Sequence, residues 1–137
     1  MADKGETPQV LVEDVTLGKV WDDKACKDVP GWAGKALEKG LGRNVAVVKS
    51  KPKQGFVLKT AIDPLEFDEK KGELSARMSV IILDADKSAK SNVSTKGGLK
   101  GVDSGSLAKK LQKLIESMAE KCGKDAADEI ESMVEKK

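Results

Sequence analysis

At Asp103 the spacing of the apolar residues changes. Before it, residues 74–83 (LSARMSVIIL) alternate. Leu74, Ala76, Met78, Val80 and Ile82 fall on one face, and Ser75, Arg77 and Ser79 on the other. That period of two marks a strand with one buried side. Ile81 and Leu83 break the alternation, which predicts cover on both sides at the far end. After Asp103, Leu107, Leu111, Leu114, Ile115 and Met118 recur at three and four residues, with charged residues opposite. That is a helical stripe. A sheet face and a helix stripe each need an apolar partner, so the two halves must cover one another in an α/β sandwich.

The other segments fit this frame. QVLVEDVTL (9–17) has apolar residues on both faces, as an interior strand does. PGWAGKALEKGL (30–41) carries Ala33, Ala36, Leu37, Gly40 and Leu41 on one stripe, with Pro30 suited to a helix start. VAVVKS (45–50) and FVLKTAI (56–62) read as strands, and Pro64 marks a strand end, bulge or edge. VSTKGGLKG (93–101) reads as a glycine-rich edge strand. Asp103 or Ser104 can cap the following helix. Gly123 is expected to break or bend it, with Asp125, Asp128 and Glu129 opening a second helix. The expected fold is α/β (α+β), in the order β-α-β-β-β-β-α-α. It has a mixed, mostly antiparallel sheet of about five strands with helices packed on it. Residues 1–8 read as a flexible lead-in and 9–137 as one domain.

Composition excludes chemistry more readily than it assigns it. There is no His and no Tyr. Imidazole-dependent catalysis and His-ligated metals are therefore ruled out. Trp21, Trp32, Phe56 and Phe67 are the only aromatic residues, too few for a base-stacking platform. A net charge of +2 favours no class of partner. No apolar run approaches the roughly 20 residues of a membrane span. The chain is read as a non-enzyme without cofactor or metal. Cys26 and Cys122 belong to no CxxC motif. They are either one disulfide, worth about 4–5 kcal/mol in an oxidising compartment, or two separate buried thiols in a reducing one.

Three stretches invite a functional reading. SVIILDADKS (79–88) sets Asp84, Asp86 and Ser88 at calcium-loop spacing. Ala89 stands where such a loop needs Gly and Thr95 where it needs Glu, so a strand ending in a turn is the better account. GWAGKA (31–36) lacks the spacing of a phosphate loop, and helix capping and close packing account better for its glycines. KSKPKQG (49–55) puts Lys49, Lys51 and Lys53 on a hairpin tip. Such a tip is either a solvated loop guarding an edge or a basic patch for an acidic partner. Trp21 is a candidate interface anchor. Val93, Thr95 and Leu99 lie on the expected edge strand, which the Lys49–Lys53 tip is expected to adjoin and where a partner strand could add.

QVLVEDVTL, a helix running into GRNVAVV, GFVLKTAI and SARMSVIILDADKS follow one another in an order that resembles a group of bacterial envelope modules. These are the TolB amino-terminal domain and the lipoprotein activators of penicillin-binding proteins. The resemblance covers roughly residues 9–121 by pattern. KSKPKQ stands where that group has another helix, and Thr60 where Gly is common. It implies a non-enzymatic module that binds a protein in the periplasm or cell envelope. The polar start, MADKGETPQ, suits an envelope protein whose leader was replaced by Met, and equally a cytosolic one. The alternative is a cytosolic nucleic-acid-binding or regulatory domain using the Lys49–Lys53 tip, and nucleic acid is the less favoured partner. Oligomeric state is open.

Overall fold

The alternating segment forms a strand with neighbours on both sides. The computed structural model describes residues 8–22, 24–42, 45–49, 55–103 and 105–135. The chain runs β1 (Gln9–Val12), β2 (Thr16–Leu17), α1 (Val29–Leu41), β3 (Ala46–Val48), β4 (Phe56–Asp68), β5 (Glu73–Asp84), β6 (Ala89–Leu99) and α2 (Leu107–Glu135). One six-stranded sheet has the order β3-β1-β4-β5-β6, with β2 beside β4. β1 is parallel to β3 and β4, while β4, β5 and β6 form an antiparallel meander. The α/β class, the mixed sheet and the helical layer are as the sequence predicts.

The core lies between one sheet face and the two helices. Val10, Leu58, Ile62, Leu65, Leu74, Met78, Val80 and Ile82 are buried from the sheet side. Leu37 and Leu41 of α1 and Leu111, Ile115 and Ile130 of α2 meet them. On the opposite face Lys59, Arg77 and Lys96 are exposed.

Three local expectations change, and one at Pro64 is narrowed. Residues 9–17 are not one strand: the chain leaves the ladder at Glu13–Val15 and rejoins β4 as β2. Of the three readings the sequence offers for Pro64, the bulge is the one found. β4 runs through it, with a cis Asp63–Pro64 peptide and a register shift between Ile62 and Leu65 that keeps both residues on the core side. Ile81 is 42% exposed, although Leu83 is buried, so double cover reaches only the last residues of β5.

The change at Gly123 is the largest. Gly123 neither breaks nor bends α2, which is one helix of 29 residues. The stripe of Leu111, Ile115, Ala119, Cys122, Ala126 and Ile130 passes through it without a change of phase. The glycine is there because α1 crosses at that point. A Cβ on Gly123 would overlap the Leu37 carbonyl oxygen, and one on Gly40 the Glu120 carbonyl oxygen. Two facing glycines bring the backbones together, which offsets the roughly 1 kcal/mol that glycine costs in a helix interior. Gly31 and Gly34 have nothing within 4 Å of an added Cβ, so close packing does not explain them. α1 begins at Val29 with Pro30 in its first turn, and Asp28 makes no side-chain cap.

Candidate docking edge between β6 and α2

The sheet has two edges of very different length. β3 contributes three residues to one, and β6 contributes eleven to the other. β6 is therefore an edge strand, as expected, and no strand pairs with its outer side among the described residues. Its outward N–H and C=O groups are a template for another strand. α2 lies along this edge and runs antiparallel to β6, because its later residues sit beside the strand's earlier ones.

Between β6 and α2 runs a shallow groove in two parts. The first, ≈ 320 Å³, is lined by Thr95–Leu99 and by Lys113, Leu114, Ser117, Met118 and Lys121. Its floor is low because Gly97 has no side chain: an added Cβ would lie 2.9 Å from Met118 Sδ. The second, ≈ 430 Å³, is lined by Asn92, Val93 and Ser94 and by Asp125, Asp128 and Glu129. Ser91 Oγ donates to Glu129 Oε1 at 2.6 Å, tying strand to helix at that end. One part is thus basic and the other acidic. The sequence predicts that Asp125, Asp128 and Glu129 open a second helix, and they do not. They stand within the continuous α2 and face this groove.

Val93, Thr95 and Leu99 all line the groove, with Thr95 9% exposed and the other two half-buried. They present side chains under α2. The strand's other face shows Asn92, Ser94, Lys96 and Gly98 to solvent. Lys49 is exposed after β3, with three strands between it and β6, so it does not adjoin this edge. Lys51 and Lys53 lie outside the described residues. Trp21 packs on Phe67 with ring centroids 5.9 Å apart and is half-buried against the core. Phe67 pairs with Leu74, which pairs with Leu99, so Trp21 and Leu99 close opposite ends of one row across the sheet.

The Asp84–Ser88 stretch is a turn. Asp84 Oδ1 accepts from the amides of Asp86 (2.9 Å) and Ser88 (3.0 Å), and Oδ2 lies 3.4 Å from Lys90 Nζ. These partners, the Ser88 amide foremost, hold the Asp84 carboxyl below its ordinary pKa. Lys87 takes a positive φ of 67° to complete the turn. Asp103 likewise anchors the approach to α2. Its carboxylate accepts from the Ser106 amide, and Ser106 Oγ accepts from the Asp103 amide. Ser104, the other cap candidate, lies outside the described residues.

No disulfide joins Cys26 and Cys122, and both are buried. Burial first, then the negative charge of Asp125, pushes the Cys122 thiol up to about 11. That is the opposite of what a nucleophilic cysteine needs. Among the described residues, no helix is long and apolar enough to cross a membrane.

The sequence signal that sequence reasoning passed over is the charge order along α2. From Leu107 to Lys124 there are five lysines and two glutamates; from Asp125 to Glu131 there are four carboxylates and no base. Expecting a helix break at Gly123 split that pattern in two and hid it.

No protein-family model matches the chain, and no curated protein matches it in sequence. Solved structures do share its fold. Hypothetical protein CT253 from Chlamydia trachomatis superposes with a TM-score of 0.61 at 13% identity, over 95% of this chain and 96% of that one. Protein XCC0632 from Xanthomonas campestris, of the DUF330 type, gives 0.57 at 13% identity, over 88% and 87%. A PelC dodecamer from Paraburkholderia phytofirmans gives 0.55 at 14% identity, over 86% and 87%. At these identities the likeness is one of fold, and the fold occurs in bacterial proteins that differ widely in sequence.

Proposed function

We propose that this protein is a non-enzymatic module of the bacterial cell envelope that binds a protein partner along the β6 edge and its groove. The observation that carries this is the eleven-residue edge strand left without a neighbour beside a groove. Strand addition would use the edge backbone for affinity, and the groove's basic and acidic ends for orientation. The envelope placement is supported by an order of sequence segments that resembles the TolB-type modules, and by a fold shared with bacterial proteins. The cysteines lend it no weight, since they are not bonded to one another. One protein of this fold is described as a dodecamer, so self-assembly is among the forms the partner can take.

The test is site-specific photo-crosslinking in bacterial cells. A photoreactive residue at Ser94 is expected to give discrete protein adducts, and one at Lys49 none. No adduct at Ser94, together with salt-sensitive binding of a DNA oligonucleotide that Lys49→Ala weakens, would move the site to the other end of the sheet and favour the nucleic-acid alternative.

A further inference from the structure

We infer that the occupant of the β6 edge is a second copy of this chain, paired antiparallel through β6 about a two-fold axis at Ser94. This rests on the docking reading above and specifies its partner. The argument begins with α2. Lysines gather in its amino-terminal part and carboxylates in its carboxy-terminal part, with no acid in the first turn and no base in the last. That order runs against the helix macrodipole, which favours acids at the start and bases at the end. The helix's own stability therefore supplies no reason for it.

A two-fold axis does supply one. The groove changes sign between Ser94 on the acidic side and Thr95 on the basic side. Antiparallel pairing centred there sets Lys113 and Lys121 of each copy towards Asp125, Asp128 and Glu129 of the other. The surface is complementary to itself, as an isologous interface must be.

The strand selects the register. In a symmetric antiparallel ladder the axis must pass through a residue that faces its own equivalent, because hydrogen-bonded and non-hydrogen-bonded pairs alternate. Centring on Val93 would set Lys90 directly opposite Lys96, a like-charge pair. Centring on Ser94 sets Lys96 opposite Asn92 and Lys90 opposite Gly98, and removes the clash. The two sheets then join into one, with the helices on the same side.

Sedimentation equilibrium of the full chain tests this with two charge-reversed variants. One carries Lys113→Glu and Lys121→Glu, the other Asp125→Lys and Asp128→Lys. Each alone should raise the dimer dissociation constant about tenfold or more, since both contacts become repulsive. An equimolar mixture should recover most of the wild-type affinity, because every contact made by positions 125 and 128 is again between opposite charges and Glu129 alone keeps its sign. That recovery also shows that both variants fold. Ser94→Cys should form a disulfide-linked dimer on oxidation and Lys96→Cys should not, since only the axial residue meets itself.

A chain that stays monomeric at every concentration, yet yields an adduct with a different protein from Ser94, would overturn the second copy and leave the docking edge standing. A dimer indifferent to both reversals and to Ser94→Cys, with no Ser94 adduct to another protein, would overturn both readings. A larger ring that ignores the reversals would overturn the two-fold pairing.

Discussion

Towards α1, helix α2 comes so close that Gly40 and Gly123 leave no room for a Cβ, and what any side chain there would strike is backbone. Towards β6, the same helix stands off behind a groove, and a Cβ on Gly97 would meet the flexible ends of Met118 and Leu114. Both sides depend on glycine, for different reasons. Backbone packed on backbone cannot yield locally, whereas a thioether can move to another rotamer. The first contact fixes the helical layer on the sheet. The second leaves a surface that can adapt.

The same substitution on each side separates the two most widely. Gly123→Ala and Gly40→Ala are expected to destabilise by about 2–3 kcal/mol, because overlap with a carbonyl must be relieved by shifting a helix. That outweighs the roughly 1 kcal/mol gained in helix propensity. Gly97→Ala should lose less than about 1 kcal/mol, since Met118 can rearrange. Gly34→Ala, on the same helix as Gly40 but with open space around it, should gain about 0.5–1 kcal/mol. Urea midpoints at constant slope read all four. A neutral Gly123→Ala would mean that α1 and α2 do not touch backbone to backbone, and the contrast would collapse.

Thr60 sharpens the groove side. Its hydroxyl is the one buried side-chain polar atom without a hydrogen-bond partner among the described residues, at 3% exposure. It shares a core-facing row with Val80 and Val93, which leads to the acidic end of the groove. The Thr60 carbonyl, which accepts from Thr16 Oγ1, survives substitution of the side chain. Thr60→Val should therefore stabilise by about 1 kcal/mol by removing an unmet hydroxyl at nearly constant shape. A loss on thermal unfolding would instead show that the hydroxyl is satisfied, and that the interior beneath the groove is polar by need.

These two cases also show what the sequence discloses. Periodicity places β4, β5, α1 and α2, because a one-residue error would turn a whole buried face outward. It places β6 at an edge, because Gly97 and Gly98 pack poorly in a sheet interior. It misjudges Gly123, since a helix breaker by propensity and a close-contact glycine look alike until the partner helix is known. It places Lys49 beside β6 because strand order is a long-range fact: β1, inserted between β3 and β4, carries that tip to the far edge. The groove escapes notice for the same reason, since its lining comes from segments that only the fold brings together.

Acid offers the gentlest way to separate the two sides, through the turn that leads into β6. Asp84 is held below its ordinary carboxylate pKa of 3.8 by the Ser88 amide first, then by the Asp86 amide and Lys90. A carboxyl whose folded pKa is depressed contributes to stability above its unfolded value, and that contribution fades as the pH falls through the folded value. Below pH 3.8 the Asp86 and Ser88 amides should thus lose hydrogen-exchange protection, while amides of α2 beside Gly123 keep theirs. Asp84→Ala should show the same local loss already at pH 7, with little change in the unfolding midpoint. If acid released the α1–α2 contact together with the turn, the two sides of α2 would open as one unit, and the groove would have no independence from the core.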